Sequence, residues 1–217
     1  MFKRIPHTES QVITGKQTTE EYLEMQKRLG EFYLRKFLEI LDSQKKSGEF
    51  LEIGPGPGYQ TARVAEHNQE SRIQALEPSS DMIVIAESYM QQQQLGDRVK
   101  FTKGSVEDES LVGHLGKFDL IYSTFSLHHW KDPIKAIQNL YRVLKDNGVI
   151  LIYDFDRHWI TYYLPVGRKG ITESIRASYT PKEISSMIDG LEMDSFKIQR
   201  HFPYLFVTIT KGMSNER

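Results

Sequence analysis

The chain has 217 residues, 39% hydrophobic and 26% charged, which suits one buried core, is too apolar for a disordered chain and is somewhat short for two full domains. A formal net charge of -1 gives no global positive field for a phosphate backbone or an anionic membrane, so a nucleic-acid substrate is disfavoured. The absence of cysteine excludes disulfides, thiolate metal sites and every cysteine nucleophile.

No apolar run has the length of a signal peptide or a membrane span, so the expectation is a cytoplasmic protein, a monomer or homodimer, with one domain over residues 1–217. Within it, residues 1–45 read as an N-terminal helical cap and 155–180 as a lid-like insertion.

From Thr18 to about Leu41, the apolar residues Tyr22, Leu23, Met25, Leu29, Phe32, Tyr33, Phe37, Leu38 and Leu41 recur at helical spacing, with a possible break at Gly30. Then the period shortens. Glu49 to Ile53 reads as a strand, Tyr59 to His67 as a helix, Arg72 to Glu77 as a strand and Ser80 to Gln92 as a helix that ends in the run Gln91 to Gln94. Val99 to Thr102, Phe118 to Ser123 and Val149 to Tyr153 read as further strands, with a helix from Pro133 to Leu144 closed by Asn147-Gly148. Such alternation predicts a parallel sheet covered on both faces.

Thr180-Pro181-Lys182-Glu183 carries an N-cap, a first-turn proline and a capping-box glutamate. After that helix, Met193 to Arg200 and Tyr204 to Thr210 are separated only by His201 to Pro203, which makes a hairpin and reverses one strand. The fold class expected is α/β: a doubly wound, mostly parallel, seven-stranded Rossmann-like sheet with an antiparallel terminal strand and helices on both faces.

The segment richest in chemistry runs from Phe50 to Gly58, where a strand enters a loop with Gly54, Gly56 and Gly58 at alternate positions, stiffened by Pro55 and Pro57. Glycines there allow a tight turn and let a ligand approach the main chain. Glu77, followed by Pro78, ends the next strand, where a carboxylate in nucleotide-binding folds accepts hydrogen bonds from ribose hydroxyls. Tyr59 stands where a dinucleotide fingerprint requires its third glycine, so the spacing departs from a pyrophosphate cradle.

Leu51 to Gly58 resembles the first motif of class I S-adenosylmethionine-dependent methyltransferases. Glu77 is similar to that family's acidic second motif, Gly104-Ser105-Val106 to its third, Phe118 to Ser123 to its fourth and Leu140 to Gly148 to its fifth. The likeness covers about residues 45 to 155, and Leu127-His128-His129-Trp130 is similar to the small-molecule branch of ubiquinone/menaquinone type (methyltransferase domain 11/25-like).

This resemblance implies S-adenosyl-L-methionine as cofactor, S-adenosyl-L-homocysteine as product, and in-line methyl transfer to a small-molecule acceptor. It implies a cofactor site of Glu52, Gly54, Pro55, Gly56, Gly58, Glu77, Pro78, Ser105, Val106, Ser123, Thr124 and Phe125. Ser105 and Val106 would meet the adenine, although the family often has Asp at position 105. Glu52 would orient the methionyl amino group or the glycine loop. Ser123, Thr124 and Phe125 follow the fourth strand, where open α/β sheets place ligands.

His128 is the candidate catalytic residue, as a group able to move a proton, with loop anchoring as its other reading. Because only His128 and His129 are neighbours among the seven histidines, no dedicated metal site is expected. Ser123-Thr124-Phe125-Ser126 is not the Asp/Asn-Pro-Pro-Tyr motif of DNA amino-methylating enzymes. The alternatives are a non-catalytic sensor or scaffold binding the same cofactor, a tRNA or protein methyltransferase, and a nicotinamide-dependent oxidoreductase.

Overall fold

The computed structural model describes residues 2–7, 15–163 and 169–213. The helices are α1 (Lys16–Ser43), α2 (Tyr59–His67), α3 (Ser80–Gln92), α4 (Glu109–His114), α5 (Pro133–Val143), α6 (Trp159–Tyr163), α7 (Lys169–Ala177) and α8 (Pro181–Ile188). The strands are β1 (Glu49–Ile53), β2 (Arg72–Glu77), β3 (Val99–Lys103), β4 (Phe118–Thr124), β5 (Leu144–Phe155), β6 (Ser195–His201) and β7 (Tyr204–Thr210). The expected lid segment is α6 and α7, with residues 164–168 outside the described residues.

The seven strands lie in the order β3-β2-β1-β4-β5-β7-β6. Strands β1 to β5 are mutually parallel, and β7 is antiparallel to both its neighbours. The reversed strand is thus last in the chain but sits between β5 and β6.

Alternation along the central strands divides the core between two faces, as a period of two requires. Phe50, Leu120, Tyr122, Leu151, Tyr153 and Phe206 pack with α1, α2 and α3. Leu51, Ile121, Ile150, Ile152, Leu205 and Val207 pack with α5 and α8 on the other face. The sheet therefore reads as nearly continuous apolar runs, and its loops gather at the carboxyl ends of β1, β2 and β4.

Two expectations are corrected here. First, α1 runs unbroken through Gly30, because that glycine is where α1 meets α2: a Cβ there would lie 1.9 Å from Cε1 of Tyr59. Gly30→Ala should therefore cost about 1–3 kcal/mol through overpacking, seen as a lowered midpoint in urea denaturation; an unchanged midpoint would mean that α1 does not pack there. Second, α5 ends at Val143, and Leu144 is already extended, paired with Phe118 and 1% exposed. Burying that leucine in the core outweighs another residue of helix, and Asn147 takes φ 58 in the irregular stretch that follows.

The Thr180 capping box is complete, with Glu183 N donating to Thr180 Oγ1 at 3.3 Å and Thr180 N to Glu183 Oε2 at 2.8 Å. Among the described residues, no helix is long and apolar enough to cross a membrane.

Candidate functional site

The loop after β1 turns at Gly54 (φ 70), Gly56 (φ 57) and Gly58 (φ 89), conformations that disfavour any side chain. The three glycines meet different surroundings. A Cβ on Gly54 would lie 2.3 Å from Ser126 Oγ, and one on Gly58 would press on Ala86 and Met90 of α3 at 3.1 and 3.2 Å. Packing accounts for both. A Cβ on Gly56 would meet nothing nearer than Tyr22 Cε1 at 3.9 Å, an ordinary contact, so close packing does not explain the glycine there.

Glu77 ties this loop to β2. Its Oε2 accepts from Gly56 N at 3.1 Å and its Oε1 from Ser79 N at 2.9 Å, with the residue 6% exposed. Burial raises its pKa against those two hydrogen bonds. Each oxygen keeps acceptor capacity for a further hydroxyl. Pro78 beside it is exposed, Pro55 is buried, and Tyr22 of α1 lies next to Gly56. Desolvation pushes the Tyr22 phenol up, and the charge of Glu77 adds to that rise.

Glu52 lies deeper, with no exposed surface. The β1–β4 register sets it against Tyr122, whose hydroxyl donates to Oε2 at 2.9 Å, while Oε1 has no hydrogen-bond partner. Burial pushes its carboxyl up to about 7; the hydrogen bond from Tyr122 opposes the rise and the charge of Glu77 adds to it. Ser123 at the end of β4 is another buried side chain whose oxygen lacks a partner. Thr124 is also buried.

Ser105 donates to Glu107, whose other oxygen accepts from Lys131 N at 2.9 Å, so its hydroxyl is committed within its own turn. Val106 is buried, and its carbonyl accepts from Asn139 Nδ2 at 2.9 Å.

Phe125 has φ 54, an unfavourable conformation for an aromatic residue that its surroundings must hold in place. Its amide donates to Tyr153 O at 2.7 Å. Its ring lies 5.3 Å from that of Tyr33, 4.9 Å from Tyr153 and Phe155, and 5.6 Å from Tyr204. Phe125, Tyr33, Phe155 and Tyr204 are all half-buried, which gives the carboxyl end of the sheet an aromatic wall.

His128 lies in a single 3-10 turn, Leu127–His129, and is 2% exposed. Its Nδ1 is 2.7 Å from Asp154 Oδ1 at the end of β5, and its backbone amide donates to Asp154 Oδ2 at 3.0 Å. Three residues near these groups escape a reading by sequence. Tyr22 looked like one apolar position on a helix stripe, and His7 lies 121 residues from His128 in a segment without periodicity. Asp154 alone carried a signal, as a carboxylate inside the otherwise apolar run Ile150 to Phe155.

Comparison with known proteins follows this geometry. Residues 51–150 match a family described as Methyltransferase domain. The chain is 31% identical over 104 residues to an uncharacterized methyltransferase, YcgJ, of Bacillus subtilis, a match covering 48% of this chain and 39% of that one. It is 27% identical over 168 residues to trans-aconitate 2-methyltransferase of Deinococcus radiodurans, covering 71% of this chain and 61% of that one. The matches thus span less than two thirds of these curated relatives. An S-adenosyl-L-methionine-dependent methyltransferase structure from Methanococcus maripaludis superposes with a TM-score of 0.74 at 21% identity, covering 97% of this chain and all of that one, and shares the fold.

Proposed function

We propose, from the premise that this chain is a class I S-adenosylmethionine-dependent methyltransferase by family, that it transfers a methyl group from S-adenosylmethionine to a small-molecule acceptor in the cytoplasm. One observation carries the reading: bare main chain at Gly56, whose amide is held by the carboxylate of Glu77. That arrangement fits an adenosyl group, with the bare main chain of Gly56 allowing its close approach and Glu77 accepting from its ribose hydroxyls.

When bound, S-adenosylmethionine supplies a sulfonium methyl carbon that the acceptor attacks in line, with S-adenosylhomocysteine leaving. Gly54, Pro55 and Gly58 set the shape of the loop, and Pro78 fixes the chain beyond Glu77. Val106 walls the adenine side, with the Ser105 turn beside it. Glu52, poised near neutrality, loses its proton as it takes up the methionyl ammonium. Ser123, Thr124 and Phe125 border the reacting centre, where orientation and exclusion of water provide most of the rate. The cap of α1 and the lid of α6 and α7 close over it.

The aromatic wall around Phe125 favours an acceptor with an apolar face. The relative from Deinococcus is named for a small acid, which supports the same size class. For an acceptor that carries a proton, His128, oriented by Asp154, takes it at Nε2.

Incubation with methyl-labelled S-adenosylmethionine and a metabolite extract tests the activity. Labelled product is expected; cofactor binding without any product would favour the sensor reading. His128→Ala should lower kcat by about 10²- to 10⁴-fold with a proton-bearing acceptor, and an unchanged turnover number would remove this residue from the reaction.

A further inference from the structure

Methyl transfer as proposed uses one histidine, yet the fold assembles three. His7 belongs to the segment 2–7, which is fastened by Ile5 N to Arg176 O at 3.0 Å and by the Arg4 guanidinium to Ala177 O at 2.6 Å and His128 O at 3.2 Å. These bonds set the His7 ring 4.4 Å from that of His129, stacked, and 5.4 Å from that of His128. The rings of His128 and His129 are 4.2 Å apart. One ring nitrogen from each residue lies within 4.8 Å of the other two.

A second observation concerns His128 alone. Its Nδ1 is paired with Asp154, while its Nε2 is buried and has no hydrogen-bond partner. A carboxylate on Nδ1 draws the ring proton to that side, which leaves a lone pair on Nε2. A buried acceptor without a donor is costly. The same arrangement, carboxylate behind imidazole, is the one that orients histidine toward a bound metal.

We propose that His7, His128 and His129 form a site for a divalent transition-metal ion, zinc in particular, with Asp154 supporting His128 from behind. Three imidazoles without sulfur favour zinc, nickel or copper over magnesium or calcium, which take oxygen ligands. Three protein ligands leave a fourth position open on tetrahedral zinc. Metal–nitrogen bonds of about 2.0–2.1 Å require the nitrogens to draw inward from their present spacing and the stacked rings of His7 and His129 to turn toward a common point. The ion would clasp segment 2–7 to the turn after β4. Metal and proton would compete for His128 Nε2, so the loaded protein lacks that base.

The test uses tag-free full-length protein stripped with EDTA, titrated with Co²⁺ by visible absorption and then with Zn²⁺ against a chromophoric chelator. One equivalent per chain with tetrahedral cobalt bands is expected. Asp154→Asn should weaken binding about 10- to 100-fold, and His7→Ala and His129→Ala should each abolish the stoichiometric site. Circular dichroism checks folding, and His129→Ala, which removes an exposed ring, decides the matter if His7→Ala does not fold. Absence of stoichiometric binding in the unmutated protein, or unchanged binding in His129→Ala, would overturn the site. Neither result depends on S-adenosylmethionine, so the methyl-transfer reading stands or falls separately.

Discussion

Glu77→Ala should weaken binding of S-adenosylhomocysteine by about 1–3 kcal/mol, which is about 5- to 150-fold. The loss has two sources. The carboxylate would no longer accept from the ribose, and the amides of Gly56 and Ser79, now joined to it at 3.1 and 2.9 Å, would lose their partner. The second effect also lowers stability, whereas the first does not. Glu77→Gln separates them, because its amide oxygen can still accept from one backbone N–H while the charge is gone. Calorimetric titration of the three proteins reads the affinities; equal affinity in all three would remove Glu77 from the cofactor site.

Glu52→Gln should change how stability depends on pH. The Glu52 carboxyl titrates near 4.5 in the unfolded chain and, driven by burial, near about 7 in the folded one. Between those values the folded state holds the extra proton, so stability falls as pH rises through the window. The difference corresponds to about 3 kcal/mol, lost by the native sequence between pH 4.5 and 7 and retained by the glutamine variant. Urea denaturation of both proteins across that range checks it: the variant should gain by about this amount relative to the parent. A pH-independent difference would mean that Glu52 is solvated or already paired. Binding of a cationic amino group beside Glu52 should reverse the effect by favouring the ionised form, so cofactor uptake just below pH 7 should release protons.

The elements nearest the glycine loop were legible because local and global signals agree there. Strand β1 stops at Gly54, strand β2 stops before Pro78, and Thr180 starts α8 with a full capping box. Bounds read from the sequence for β1, α2, β2, α3 and β7 coincide with the structure. Other features depend on contacts distant in sequence. Gly30 looked like a helix breaker until Tyr59 was seen against it. The short helices α4, α6 and α7 draw little from propensity and depend on packing, as with buried Val112 and Ile175. Leu144 reads equally well as the end of a helix or the start of a strand, and the core decided between them.

The same division holds at the site. The glycine turn could be read because its backbone geometry restricts residue type. Tyr22 and His7 could not be assigned, because nothing local distinguishes a phenol packed over a glycine loop, or a histidine near two others in space, from ordinary residues; Asp154 stood out only as a carboxylate in an apolar run. The three glycines also prove unequal: a Cβ on Gly56 would make only an ordinary contact with Tyr22, while Gly54 and Gly58 admit the close approach of Ser126 and α3.

The central claim, an adenosyl group seated on Gly56 and gripped by Glu77, is tested most directly by calorimetric titration of the full chain with S-adenosylhomocysteine and, separately, with NAD. Saturable one-to-one binding of S-adenosylhomocysteine, weakened in Glu77→Ala and absent for NAD, is the predicted result. Binding of NAD with no heat from S-adenosylhomocysteine would contradict it.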